Sequence, residues 1–408
     1  MRKVGEFGEA GQSTTHCVDD ILEGVGCSSG RRWRGERASV FSMDNLAHSL
    51  VGAWMGEAGL KRKTPLATVT LVIGANLPDI DGFLALNNAD TSLWLRRGNT
   101  HGVLALAVLP WLLASAVMLA DKYLRRGRHP EKEPARFWPL LLLSYLSVLS
   151  HTFLDWMNNY GVRVLMPFDG RWFYGDAIFI IDPWMWLLTG AAVIMADARA
   201  RWSIGGWLLL GAASTGLILY TDLVPLPVKA LWLVGVGAVA YLRVRGIRSL
   251  SVERVATVCG IMLLLYLVGM FAGSRLAERQ VAQWLRQQGR EPEHIVASPL
   301  AANPFTRDVI VLLPGRYEFI ELDWLAGEAG RFRTSHPPIP REAPNPIVQA
   351  ALAAPGVKGF VNWLRFPTYR VEEQATGYRV VLEDVRYTRT PNSIGTAVVE
   401  LDQQLRPR

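Results

Sequence analysis

From Met43 onward the chain alternates between long apolar runs and short charged connections. Val103 to Ala120, Ile204 to Tyr220 and Val255 to Gly273 each run 17 to 19 residues without a charge, enough helix to cross a hydrocarbon core of about 30 Å. Leu223 to Leu242 is similar, with Lys229 close enough to its start to snorkel. Trp138 to Leu154 and Pro183 to Ala196 are shorter and aromatic at one end, as interfacial belts are. Six spans follow from this pattern. Two weaker candidates lie upstream, Asp44 to Leu60, which carries His48 and Glu57, and Pro65 to Leu77. Each reads either as a full span or as one helix of a hairpin dipping into the membrane. The expected fold is an all-α polytopic membrane protein of about six to eight transmembrane or re-entrant helices, with a small α+β extramembrane domain at the C-terminus.

The two ends of the chain break the pattern. Residues 1–42 are rich in Gly, Ser, Arg and Glu, and lack both apolar periodicity and the apolar core of a signal peptide. They read as a disordered leader, and Met43, opening Met-Asp-Asn-Leu-Ala-His, reads as an alternative start. Residues 274–408 are polar and Pro-rich, with strand-like runs at Val309 to Leu313, Tyr317 to Leu322 and Tyr378 to Asp384 after an amphipathic helix near Arg275 to Arg286. Between them, residues 43–190 carry the chemistry-bearing residues, and 191–273 read as additional transmembrane helices.

Composition agrees with this division. Half of the 408 residues are hydrophobic and only 19% are charged, against about 25% charged in soluble domains. That excludes a disordered chain, a soluble basic nucleic-acid binder and a disulfide scaffold. The cysteines Cys17, Cys27 and Cys259 form no CxxC pair, so no zinc ribbon or redox motif is expected.

The basic residues set an orientation. Lys61 to Lys63, the stretch Lys122 to Arg136, Arg199 with Arg201, and Arg243 to Arg248 form four positive clusters. With eight crossings all four fall on one side, which the positive-inside rule makes cytoplasmic. The connections holding Asp79, Asp81, His101 and His151 to Asp182 then face outward, as does the tail.

Histidine and aspartate at the ends of apolar segments are costly there and need an explanation. His151 and Asp155 are spaced i, i+4, so a helix presents both on one face, where they can share a metal ion or simply neutralise each other. Asp79 and Asp81 follow Pro78 in a turn where two carboxylates converge, or cap a solvated helix end. His101 enters a span and His48 lies early in another, as ligands or as capping groups. Asn159 sits in a turn, where it can orient substrate or metal ligands. Asp176 and Asp182 follow, Asp182 doubling as a cap before Pro183. HExxH and GxxxxGK[ST] are missing, and the GxSxG match at Gly26 to Gly30 falls in the leader, away from any strand–helix pattern, which removes most of the case for an intramembrane zinc protease, a P-loop NTPase or an α/β-hydrolase.

The motifs Met43-Asp-Asn-Leu-Ala-His48, Asn76-Leu-Pro-Asp79-Ile-Asp81-Gly, Asn99-Thr-His101-Gly, His151-Thr-Phe-Leu-Asp155-Trp, Asn158-Asn159-Tyr-Gly161 and Ile181-Asp182-Pro183 resemble the YdjM-like family of bacterial membrane-bound, metal-dependent hydrolases. More distantly, the series His, Asp, His, then His-x-x-x-Asp resembles that of zinc-dependent phospholipase C. The resemblance implies a divalent metal, zinc, held by Asp79 or Asp81, His101, His151 and Asp155, with His48 and a bridging Asp155 contributing to a second ion, and with whichever of Asp79 and Asp81 is not a ligand acting as base. It implies hydrolysis of a phosphoester or other ester, with a lipid as substrate by position, at the outer face of the bacterial cytoplasmic membrane. The bilayer is the expected partner, and no nucleic acid is expected. The rival class is an ion- or proton-coupled transporter, or a non-catalytic membrane protein.

Overall fold

A computed structural model describes residues 39–84, 89–179, 182–196, 201–221, 224–245, 251–300, 302–388 and 395–408, with the backbone alone at residues 39–44, 83, 84, 89, 201 and 202. The leader up to residue 38, with His16, Cys17 and Cys27, lies outside the described residues, as do Ile181, Arg199 and Arg248.

The membrane part is built from α1 (Ser39–Glu57), α2 (Ala67–Gly74), α3 (Asp81–Leu84), α4 (Ala89–Leu95), α5 (Val103–Ala120), α6 (Arg126–Arg128), α7 (Phe137–Met157), α8 (Pro183–Ala196), α9 (Arg201–Tyr220), α10 (Leu226–Arg245) and α11 (Val252–Gln287). Among the described residues, five helices are long and apolar enough to cross a membrane: α5 with its continuation to Arg128, α7, α9 from Ser203, α10 and α11. Helix α8 is apolar but shorter. Helix α1 begins at Ser39, ahead of Met43. Helix α2 has eight residues, or about 12 Å of rise, too short to cross alone, and a 3-10 turn at Leu77–Ile80 follows it.

One face of each long helix is apolar and unmatched by protein. Leu104, Val108 and Leu112 of α5 recur at i, i+4, i+8 and are exposed, whereas Leu113, Ala114 and Val117 pack on Leu140 and Leu141 of α7. An outward apolar stripe of this kind is expected of a helix solvated by lipid. Inside, α1, α2, α7, α8 and α11 share one core through Val51, Leu71, Leu154, Met185 and Leu267. Small residues bring them close: a Cβ on Gly52 would stand 2.7 Å from the Leu71 carbonyl oxygen.

The helices have chemically distinct ends. Arg136 bonds the Lys63 carbonyl and donates its amide to Thr64, and Arg62 pairs with Glu253 at the start of α11. Lys61 to Lys63, Arg136 and the start of α11 therefore gather at one end. Helix α7, about 31 Å long over its 21 residues, carries His151 and Asp155 to the other.

The span and the amphipathic helix expected separately around Gly273 are one helix. The charge of Arg275 does not end α11, because Ser274, Ala277, Val281 and Leu285 continue its buried stripe. Its second half packs Ala277, Val281 and Leu285 against Val309, Val311 and Ile320 of the C-terminal region. There β1 (His294–Leu300), β2 (Asn303–Leu313), β3 (Arg316–Asp323) and β4 (Phe332–Pro340) form an antiparallel sheet in sequence order. Helices α12 (Pro346–Leu352) and α13 (Lys358–Trp363) lead to a second antiparallel sheet of β5 (Pro367–Gln374), β6 (Gly377–Asp384) and β7 (Thr396–Asp402).

Candidate metal centre

Helix α7 buries a stripe through Leu140, Ser144, Ser147, Val148, His151 and Asp155. The serines stay on it because their hydroxyls return to carbonyls of the same helix, Leu140 and Leu143. One turn apart on that stripe, His151 and Asp155 face the 3-10 turn, where Pro78 sits in the first turn and Asp79 follows. The loop between α4 and α5 delivers His101.

Asp79, His101, His151 and Asp155 converge at this point, all buried, their ligand atoms within 4.8 Å of one another. The two imidazole Nε2 atoms are 3.0 Å apart. Asp79 Oδ1 lies 3.7 Å from each, and Asp155 Oδ2 lies 3.1 Å from His101 and 3.5 Å from His151. A tetrahedral ion with bonds of about 2.0–2.1 Å has ligand–ligand edges of about 3.4 Å, so five of the six edges are near the required length.

Proton placement makes the convergence informative. His151 Nδ1 lies 2.7 Å from the Ala75 carbonyl oxygen, which only accepts, so that nitrogen carries the hydrogen. Thr100 Oγ1 donates to Asp81 Oδ2 at 2.7 Å, leaving it an acceptor for His101 Nδ1 at 3.0 Å. With both rings neutral, each thus turns an Nε2 lone pair inward. Two imidazole nitrogens and two carboxylate oxygens meet with no donor among them. One shared proton would reconcile a single pair; a divalent cation reconciles all four, and acceptors behind Nδ1 are what metal-binding imidazoles require.

Residues 43–225 match the YdjM inner membrane protein family. All four cluster residues lie inside the YdjM match, whereas the C-terminal sheets lie beyond it. The uncharacterized protein YfhP of Bacillus subtilis is 29% identical over 174 residues, 40% of this chain and 47% of YfhP, so the chain spans about half the length of that relative. No solved structure matches.

The remaining expected residues of the YdjM region are placed as follows. Asp81 stands behind His101, 3.4 Å from Nδ1, and its Oδ2 also accepts from the Arg97 amide at 2.9 Å. Burial opposes its ionisation, but the His101 ring and the Thr100 hydroxyl outweigh that and hold the carboxyl below its usual range. His48 lies on the far side of Asp155, Nε2 3.3 Å from Oδ1, its ring stacked on His151 at 3.9 Å. Asn45 donates to Asp79 Oδ2 at 3.1 Å.

Asn159, Asp176 and Asp182 stand outside the cluster. The Asn159 carbonyl accepts from Arg386 of the C-terminal region. Asp176 is held by both terminal nitrogens of Arg365 at 2.9 and 3.0 Å. Asp182 caps α8, accepting from the Trp184 and Met185 amides, and takes the Tyr266 hydroxyl at 2.7 Å. Burial pushes its carboxyl up to about 6, against those three bonds.

Two residues of the site were missed in the sequence. Arg97, fully buried at φ 51°, places Nη2 2.8 Å from Asp155 Oδ1. Asn158, not its neighbour Asn159, anchors it through Oδ1 at 3.0 Å. The available signal was an arginine two residues before the Asn99-Thr-His101 motif, in a connection otherwise read only for its exposure.

Proposed function

We propose that the chain is a membrane-bound metal-dependent hydrolase acting on a phosphoester or other ester, with Asp79, His101, His151 and Asp155 holding one divalent ion, proposed to be zinc because two imidazoles and two carboxylates suit it. The observation that carries this reading is the donor-free meeting of four lone pairs with both imidazole tautomers fixed from behind. A divalent ion held there would supply Lewis acidity, lowering the pKa of a water taken in addition to the four protein ligands and offsetting charge on phosphoryl oxygens.

The chain's own residues supply the rest. Asp79 and Asp155 bring the negative charge that retains a cation. His101 and His151 are locked in orientation by Thr100 with Asp81 and by the Ala75 carbonyl. Asp81 is the carboxylate left outside the cluster; its Oδ1 accepts no hydrogen bond within the structure, and it is the candidate to take a proton from water. A lipid ester is the proposed substrate because the site lies at one end of the membrane helices, opposite the basic end. By the positive-inside rule that end is extracytoplasmic. The likeness to zinc-dependent phospholipase C supports the reading by the order of His and Asp alone.

The test is metal analysis of protein purified in detergent, together with hydrolysis of phospholipid and soluble phosphodiester substrates, for the native chain and His151→Ala. Bound divalent metal and hydrolysis in the native chain, both lost in the variant, are expected. Native protein free of divalent metal would reject the reading in favour of a proton or ion path. Reporters fused after Arg408 and inserted at Gly127 test the orientation: activity only when translocated is expected at the first, only when retained at the second.

A further inference from the structure

The carboxylate of Asp155 has two faces. Oδ2 points into the cluster, while Oδ1 lies between Arg97 Nη2 at 2.8 Å and His48 Nε2 at 3.3 Å. Oδ1 with His48 has the makings of a second cation site bridged by Asp155. The guanidinium already stands there, and it is fixed. Arg97 Nη1 donates to Asn158 Oδ1 at 3.0 Å, its amide donates to Asp81, its carbonyl accepts from the Arg163 amide, and its guanidinium lies 4.8 Å from the centre of the Tyr160 ring.

We infer that the centre takes a single divalent ion and that Arg97 occupies the place of a second, so that His48 positions Asp155 and is not a metal ligand. The inference rests on the metal-centre reading above. Charge supports it. Three carboxylates, Asp79, Asp81 and Asp155, face one fixed guanidinium, and one divalent ion brings this buried group to neutrality. Counting the three carboxylates and the guanidinium named here, a second would leave the group doubly positive, which burial penalises heavily. Arg163, buried one layer out and bonded to the Trp94 and Arg96 carbonyls, adds positive charge rather than removing it.

The experiment is zinc stoichiometry by mass spectrometry on the full chain in detergent, saturated with zinc and freed of excess. About one zinc per chain is expected for the native protein, His48→Ala and Arg97→Lys. Arg97→Glu replaces the cation with a carboxylate beside Asp155 Oδ1 and His48, and is expected to raise the ratio toward two. A native ratio of two that falls to one in His48→Ala overturns this inference while sparing the hydrolase reading. A native ratio of zero removes both. Arg97→Glu protein that accumulates yet stays at one would show that Arg97 is not what excludes a second ion. Should that variant fail to accumulate, the native and His48→Ala ratios still decide the stoichiometry.

Discussion

Asp155 and Asp182 look alike in the sequence: each is an aspartate at the end of an apolar helix, and each is buried. Their surroundings are opposite. Asp182 is met by three donors, two backbone amides and a phenol, and its need is fulfilled inside the protein. Asp155 is met on its Oδ2 side by the inward lone pairs of two imidazoles. A buried carboxylate therefore signals a ligand-binding role through what its neighbours lack, not through its burial. Donors missing from one oxygen separate a proposed metal ligand from a helix cap where hydropathy cannot.

The comparison breaks most visibly under one isosteric change made at both places. Asp155→Asn removes a ligand and its charge; the expected loss of metal affinity exceeds the 10- to 100-fold typical of residues behind the ligands, read by competitive chelator titration. Asp182→Asn should leave metal content unchanged, because Asn caps a helix about as well as Asp. Equal metal loss in both variants would erase the distinction.

Asp81→Asn sharpens it at an intermediate level. The variant keeps size and weakens the acceptor behind His101, so metal affinity should fall about 10- to 100-fold, with metal still bound at saturating concentration. Unchanged affinity would mean that Thr100 alone fixes the His101 ring.

A smaller effect distinguishes Asp182 by pH. Its carboxyl titrates near 6 in the folded chain, above the ordinary aspartate value of about 3.9, so the folded state holds the proton more tightly. The stabilisation from protonation is fully present below about pH 4 and is lost as pH rises through about 6. Thermal unfolding of native protein relative to Asp182→Asn should show this as a relative loss on the order of 1 to 3 kcal/mol between pH 4 and 7. A difference flat across that range would contradict it. His129→Ala, in the basic connection before α7, is expected to change neither metal content nor unfolding, and any metal lost there would point to a second metal-binding place.

The sequence made much of this site legible. His151 and Asp155 declare themselves by helical spacing, Asp79 by the proline ahead of it, and His101 by standing at the mouth of a span. Arg97 did not, because arginine in a short connection has the same pattern whether it faces water or folds inward; only its positive φ and the Asn158 side chain turn it toward Asp155. The Asn158-Asn159 pair was likewise ambiguous, since neighbouring residues in a turn point in different directions and spacing does not say which. The span of α5 was plain from uncharged length, and that of α7 from a shorter apolar run with an aromatic end. The continuity of α11 was hidden by Arg275, although the four- and three-residue spacing of Met270, Ser274, Ala277, Val281 and Leu285 carries the stripe across it.

That unbroken helix couples rotation to position. Each residue of α11 advances the chain by about 100° and 1.5 Å, and the C-terminal sheets ride on its second half while Arg365 reaches back to Asp176 and Trp363 Nε1 to the Tyr160 carbonyl. The helix thus acts as a phase-keyed shaft: one alanine inserted after Arg279 would turn everything beyond it by more than a quarter of a revolution. Arg365 and Trp363 would be carried away from their partners, although no residue of either contact had been changed.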